Sequence, residues 1–393
     1  MDKPSYVVTK DIQSANLFRE KQPRLSRLDL ELTERCNNAC VHCYINLPAN
    51  DVRARQRELN TEEWKNILRQ AADLGALSVR LTGGEPLLRE DFKELYLFTR
   101  RLGLKVMLFT NARLITQELA DLFTRIPPLK KIEISVYGMR AESYDAVARA
   151  PGAYAEFKKG IELLLERQVP FVVKSVMLPA NRAEMSEFEA WAATIPWMER
   201  EPTKISFLDL RARRDSATKN QRIRELRLTP EEGAGLMTRN GEAAQQEMAQ
   251  FCSQFMSPPG NMLFTCGAGE IGCVDAYGMF QMCMALRHPE MVYDLKQGSL
   301  EEALNQVFPR WRETQASNPT YLERCGRCFL RGLCEQCPGK SWMEHGTLDT
   351  PVDYLCEVAH LRAYSLGLLQ EGERAWEVAD WKGRINHMTQ AAA

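Results

Sequence analysis

The sequence has no apolar run approaching the roughly 18 residues that a bilayer-crossing helix needs, which excludes a helical membrane span. Charge of one sign is lacking too. Lys and Arg number 51 against 52 Asp and Glu, a net charge of -1, so no bulk attraction to nucleic acid or to an anionic membrane is expected. The opening residues, Met1-Asp2-Lys3-Pro4-Ser5-Tyr6, lack the apolar core of an export signal, and a cytoplasmic location is expected. No low-complexity tract is present. Against these absences stand 12 cysteines. Without an export signal they argue for metal or redox use in a reducing compartment rather than for a disulfide framework. A chain of 393 residues is long enough for two domains.

From residue 26 to about 210, strand-like and helix-like segments alternate. The strands are expected at Leu28–Leu32, Leu77–Leu81, Lys105–Thr110, Lys131–Val136, Val169–Met177 and Lys204–Leu208. Amphipathic helices are expected at Thr61–Leu74, Asp91–Leu102, Gln117–Phe123, Tyr154–Arg167 and Ala183–Ala193. Asn60 or Thr61 caps the first, with Glu62 and Glu63 favourable in its first turn. Such alternation implies a parallel sheet with helices outside it. Six strands rather than eight imply an open, partial (β/α)6 barrel. Beyond it, Arg211, Arg213, Arg214, Lys219, Arg222, Arg224 and Arg227 read as a solvated basic linker, and Thr229-Pro230-Glu231-Glu232 as a fresh helix start.

Cys36, Cys40 and Cys43 form a C-x3-C-x2-C run directly after the first strand. Three thiolates so spaced hold three irons of a [4Fe–4S] cube and leave the fourth open, and an open iron is a place for chemistry. Structural zinc usually takes four ligands from paired C-x2-C knuckles, a poorer fit to this loop. The loop leaves the C-terminal end of its strand, the end that carries the active site in α/β barrels. Leu81-Thr82-Gly83-Gly84-Glu85-Pro86 ends the second strand. Paired glycines permit close backbone approach, and Glu85 is an acceptor suited to an ammonium group.

A three-cysteine loop after strand one and Gly-Gly-Glu-Pro after strand two resemble the radical S-adenosylmethionine (radical SAM) enzymes. The resemblance implies that the amine and carboxylate of S-adenosylmethionine chelate the open iron. An electron from the cluster then yields methionine and a 5′-deoxyadenosyl radical, which abstracts a substrate hydrogen. It makes Cys36, Cys40 and Cys43 the catalytic cluster ligands and Gly83, Gly84, Glu85 and Pro86 part of the cofactor site. By the same resemblance Asn111 and Ser135, at the ends of the third and fourth strands, help hold cofactor or substrate. Arg149 pairs with the cofactor carboxylate through its fork. Tyr44 lies by the adenine or packs on a helix, and His42 packs as an aromatic ring.

Nine cysteines remain. Cys266, Cys273 and Cys283, then Cys325-x2-Cys328-x5-Cys334-x2-Cys337, then Cys356 resemble the SPASM domain of radical SAM peptide maturases, with one residue fewer in the last gap of the four-cysteine block. That resemblance implies two auxiliary [4Fe–4S] clusters, one on Cys266, Cys273, Cys283 and Cys337 and one on Cys325, Cys328, Cys334 and Cys356. With the first cluster this makes three, and Cys252 is left over. A zinc ribbon on the two C-x2-C pairs leaves the upstream site unexplained.

The domain order expected is an extension over 1–25, the barrel over 26–210, linker and bridging helix over 211–260, the SPASM domain over 261–360 and a helical tail over 361–393. The activity implied is cross-linking, oxidation or epimerisation of a ribosomally made precursor peptide. A separate leader-peptide-binding protein and a flavodoxin or ferredoxin donor are the expected partners. The alternative is a formylglycine-forming sulfatase-type maturase or a small-molecule dehydrogenase, with Asp209 as candidate base. A non-catalytic electron carrier does not account for Gly83-Gly84-Glu85-Pro86.

Overall fold

The computed structural model describes residues 25–45, 47–200, 202–205, 217–238, 246, 248 and 258–391. Asp209 and Cys252, and with them Arg211, Arg213 and Arg214, lie outside the described residues. The chain forms two compact units, one drawn from Met1–Ile205, Gly267–Met284 and Pro289–Pro309, the other from Ser206–Cys266, Ala285–His288 and Arg310–Ala393.

The first unit is the alternating α/β structure. Its strands β1 (Arg27–Glu31), β2 (Ser78–Thr82), β3 (Lys105–Thr110), β4 (Leu129–Val136), β5 (Phe171–Val176) and β6 (Thr203–Ile205) pair in sequence order, all parallel. The helices between them include α1 (Thr61–Asp73), α2 (Phe92–Arg101), α3 (Gln117–Arg125), α4 (Ala141–Ala148), α5 (Ala153–Glu166) and α6 (Met185–Ala192). Helix α1 begins as its sequence dictates. The Asn60 side chain accepts from the Glu62 and Glu63 amides, and Glu63 reaches back to the Asn60 N–H, a reciprocal cap of two orphan donors.

Alternation decides which side of each strand meets the helices. Val106 and Leu108 of β3 and Ile132 and Ile134 of β4 are fully buried, whereas Phe109, Glu133 and Lys174 are half-buried. The Lys174 ammonium of β5 lies 3.7 Å from the centre of the Phe109 ring of β3, skipping the strand between. A concave face brings side chains two strands apart together in this way. The sheet therefore curls as an open barrel with a polar interior. On the other side of β1, β7 (Ile271–Val274) adds in parallel, in register from Arg27 opposite Ile271 to Leu30 opposite Val274. Strands β8 (Met279–Gln281) and β9 (Tyr293–Asp294) follow antiparallel.

In the second unit Thr229 and Glu232 exchange side-chain bonds with each other's amides and start helix α7 (Pro230–Thr238). It packs against α9 (Asp353–Ser365), which follows α8 (Pro338–His345). Cys328, Phe329, Leu330 and Leu333 form a small core with Ala359, Ala363 and Leu368. Among the described residues no helix is long and apolar enough to cross a membrane.

Candidate active site

At the C-terminal end of β1 the chain turns into the cysteine loop, and four neighbours hold it. From β2, the Gly84 N–H donates to the Thr33 carbonyl at 2.7 Å and the Glu85 N–H to the Arg35 carbonyl at 2.9 Å. A Cβ at Gly83 or Gly84 would fall on the carbonyl oxygen of Thr33 or Arg35. The close approach that the paired glycines permit is thus to the cysteine loop's own backbone. From α4, the carbonyls of Ala148 and Val147 accept from the Ala39 and Val41 amides at 2.9 and 3.1 Å. From β3, Asn111 donates through Nδ2 to Asn37 Oδ1 at 2.8 Å, and Arg113 donates to the Asn37 carbonyl and the Asn38 side chain. From the segment before α1, Glu58 receives the fork of Arg35 at 2.9 and 3.0 Å together with the Thr33 hydroxyl.

Cys36 and Cys40 are buried and Cys43 is half-buried. Burial pushes the Cys36 thiol well above its usual range, and the nearby negative charges of Glu85, Cys43 and Cys40 push it further. Burial also raises Cys40, with Cys43 adding to the rise and a hydrogen bond from Tyr137 opposing it. Cys36 and Cys40 thus sit where ionisation needs a positive partner, and iron supplies one. Among the described residues no three Cys, His, Asp or Glu side chains converge as ligands of a single ion do. The irons of a cube are separate, and each thiolate takes its own.

Glu85 is fully buried. Its Oε1 accepts from the Thr110 hydroxyl at 2.8 Å and the Leu87 N–H at 3.2 Å, and its Oε2 from the Asn111 N–H at 2.8 Å. A carboxylate offers about four acceptor sites, so about one is left for an ammonium proton. The side chain also ties the end of β2 to the end of β3. Pro86 is buried at the start of a single 3-10 turn, Pro86–Leu88, which the Glu85 carboxylate caps. Tyr44 is half-buried and donates to Glu31 at 3.1 Å. His42 packs 5.7 Å from the Tyr137 ring. Ser135 faces the concave interior in register with Lys174. Arg149 closes α4 in the left-handed conformation, φ 49°. Its side chain is exposed and makes no hydrogen bond or ion pair among the described residues.

The structure thus brings together the cysteine loop, the Gly83–Pro86 turn and Asn111, with Arg149 directly after the two carbonyls that receive the loop. Glu58, Arg113 and Tyr137 carry the site as well, and sequence reasoning missed them. Tyr137 stands two residues from Ser135 in the motif that ends β4, the one available signal. Glu58 and Arg113 have no local signature.

In the second unit, Cys325, Cys328, Cys334 and Cys356 line one cavity with Tyr321 and Trp376. Burial raises all four thiols, Cys325 to about 11 and Cys328 to about 12, and the other cysteines' charges add to each rise except at Cys356, where Asp353 takes that part. Of the other expected auxiliary ligands, Cys273 and Cys283 belong to the first unit and Cys266 and Cys337 to the second.

Residues 30–192 match the model of the radical SAM superfamily. A match to that superfamily points to S-adenosylmethionine and a [4Fe–4S] cluster. An AdoMet-dependent heme synthase of Methanosarcina barkeri is 33% identical over 165 residues, 42% of this chain and 46% of the relative. A PqqA peptide cyclase of Rhizobium meliloti is 31% identical over 189 residues, 47% and 48% of the two chains. The chain spans about half the length of these curated relatives. Among solved structures, anSMEcpe with bound AdoMet superposes with a TM-score of 0.61 at 14% identity, over 93% of this chain and 99% of that one. Streptococcus suis SuiB bound to S-adenosylmethionine gives 0.57 at 16% identity, over 85% and 77%. At those identities the likeness is one of fold.

Proposed function

We propose that this protein is a radical SAM maturase acting on a ribosomally made peptide. The observation that carries the proposal is the meeting of the three-cysteine loop, the Gly83–Pro86 turn and Asn111 at the C-terminal mouth of an open parallel barrel. When bound, the cluster and S-adenosylmethionine supply a 5′-deoxyadenosyl radical that abstracts a hydrogen atom. Cys36, Cys40 and Cys43 hold the cluster. Glu85 keeps Asn111 and the Gly83–Gly84 turn in place and offers its remaining acceptor site to the cofactor amine. Arg149, uncommitted among the described residues, receives the cofactor carboxylate, and Ser135 and Tyr44 border the remaining space. Relatives named for cyclising a peptide and the open interior support a peptide substrate. Its leader-binding partner and its flavodoxin or ferredoxin donor belong to the same reading. In the second unit Cys325, Cys328, Cys334 and Cys356 hold an auxiliary [4Fe–4S] cluster, supported by their shared cavity.

The relatives named for heme synthesis favour a second reading, a tetrapyrrole substrate.

One experiment tests the first step. Anaerobically reconstituted protein, given dithionite and S-adenosylmethionine, forms 5′-deoxyadenosine. The Cys36→Ala, Cys40→Ala, Cys43→Ala triple variant loses about four irons and forms none. Undiminished cleavage in that variant overturns the proposal. Added Fe-coproporphyrin III, the compound one relative is named for making, favours the second reading if its mass changes in the same reaction, and an unaltered porphyrin favours a peptide.

A further inference from the structure

Arg324 enters the cysteine-lined cavity from the position before Cys325. Its Nη2 lies 3.6 Å from Cys356 Sγ and 2.9 Å from the Asp353 carboxylate. The guanidinium stacks 5.0 Å from the centre of the Trp376 ring. Three contacts therefore fix its plane. Its Nε–H is buried and has no acceptor among the described residues, a costly state for a donor. Arg331, the other arginine lining the cavity, donates to the Gly260 and Met262 carbonyls and the Tyr321 hydroxyl. The His360 Nδ1 lies 2.8 Å from the Cys356 carbonyl, closer than its 3.6 Å to the Cys356 sulfur.

We propose that Arg324 is the hydrogen-bond donor that sets the reduction potential of the cluster held by Cys325, Cys328, Cys334 and Cys356. The inference rests on the reading of this cavity as a cluster site. Nη2 donates to the Cys356 thiolate, and Nε, otherwise orphaned, donates to a sulfur of the cluster. Reduction adds one electron and makes the cluster more negative. Donors and positive charge at its sulfurs stabilise that reduced form and raise the potential. The fixed fork makes this a task for arginine, since lysine brings the charge without the planar pair of donors. Asp353 and Trp376 act by holding the plane. Arg324 is a positioning and tuning residue and takes no part in hydrogen abstraction.

The test uses full-length protein, anaerobically reconstituted and titrated potentiometrically with electron paramagnetic resonance detection. Cys328→Ala identifies the signal of this cluster. Arg324→Leu is expected to keep its iron and to lower the midpoint of that signal by about tenfold in the one-electron equilibrium, ~59 mV. Arg324→Lys is expected to fall between the two. If Cys328→Ala removes no iron, the cluster reading fails. If it removes about four irons yet both Arg324 variants keep the wild-type midpoint, the cluster stands and the inference about Arg324 is overturned. Should Arg324→Leu lose iron or fail to fold, Arg324→Lys decides alone, an unchanged midpoint counting against the inference and a lowered one for it.

Discussion

Removing the charge of Glu85 has a consequence measurable without any cofactor. Burial pushes its carboxyl from the ordinary 4.5 up to about 7, against the pull of the Asn111 amide, the Thr110 hydroxyl, the Leu87 amide and the charge of Arg113. In metal-free protein the folded chain therefore keeps a proton on Glu85 that the unfolded chain gives up at lower pH. The stability this contributes is fully present below the unfolded value and is lost as pH rises through the folded one. At about 1.4 kcal/mol per pKa unit, the loss between about pH 5 and about pH 8 comes to roughly 2–3 kcal/mol. Glu85→Gln carries an uncharged amide of nearly the same shape and has no proton to release. Chemical denaturation of both metal-free proteins across that range isolates Glu85, because every other titrating group is common to the two. Wild type should lose roughly 2–3 kcal/mol relative to the variant as pH rises. A flat difference would refute the reasoning, since it would mean that the three hydrogen bonds outweigh burial and keep the carboxylate ionised throughout.

Three further substitutions probe the same site. Gly84→Ala forces the turn away from the Arg35 carbonyl and should cost about 2 kcal/mol, two backbone hydrogen bonds at about 1 each, with incomplete iron loading; normal stability and full iron would contradict the packing described. Glu58→Gln weakens a buried ion pair with Arg35 and should cost up to about 3 kcal/mol, read by denaturation, whereas a change below about 0.5 kcal/mol would relegate the pair to decoration. Arg149→Ala should leave stability within about 0.5 kcal/mol but weaken S-adenosylmethionine binding by roughly one to two decades, the loss of one charge-assisted hydrogen bond; unchanged affinity in titration would remove Arg149 from the cofactor site.

The sheet was legible because local chemistry decides it. Lys105–Thr110 is a short apolar run, Val-Met-Leu-Phe, between polar ends, as a buried parallel strand reads, and forms a strand over those residues, and the Asn60 and Glu63 pair that starts α1 is a local code for a helix start. Helix α4 was missed. Its sequence, Ala-Glu-Ser-Tyr-Asp-Ala-Val-Ala, carries Ser and Asp in its interior, residues whose side chains compete for the backbone. The pairing of β7 with β1 joins residues about 240 positions apart, and no periodicity within a short window records it. The glycines show both sides of this limit. Their sequence announces close approach but does not say to what, and only the fold shows that Thr33 and Arg35 fill the space.

The loop's anchors have a common logic. Ala39 and Val41 are held by α4, Asn37 by Asn111 and Arg113, the backbone of Thr33 and Arg35 by Gly84 and Glu85, and their side chains by Glu58. None of these contacts uses a cysteine thiol as its principal partner, so the loop is shaped by polypeptide alone and the thiols are left to the metal. The energy that orders the loop is then supplied by folding and need not be drawn from iron binding. The thiols carry the remaining cost. Cys36 and Cys40, raised by burial, enter as neutral groups and must give up their protons when iron is bound, which makes loading a proton-releasing step favoured as pH rises. The two demands are separable in this fold: hydrogen bonds set where the sulfurs sit, and burial sets how strongly they need a cation.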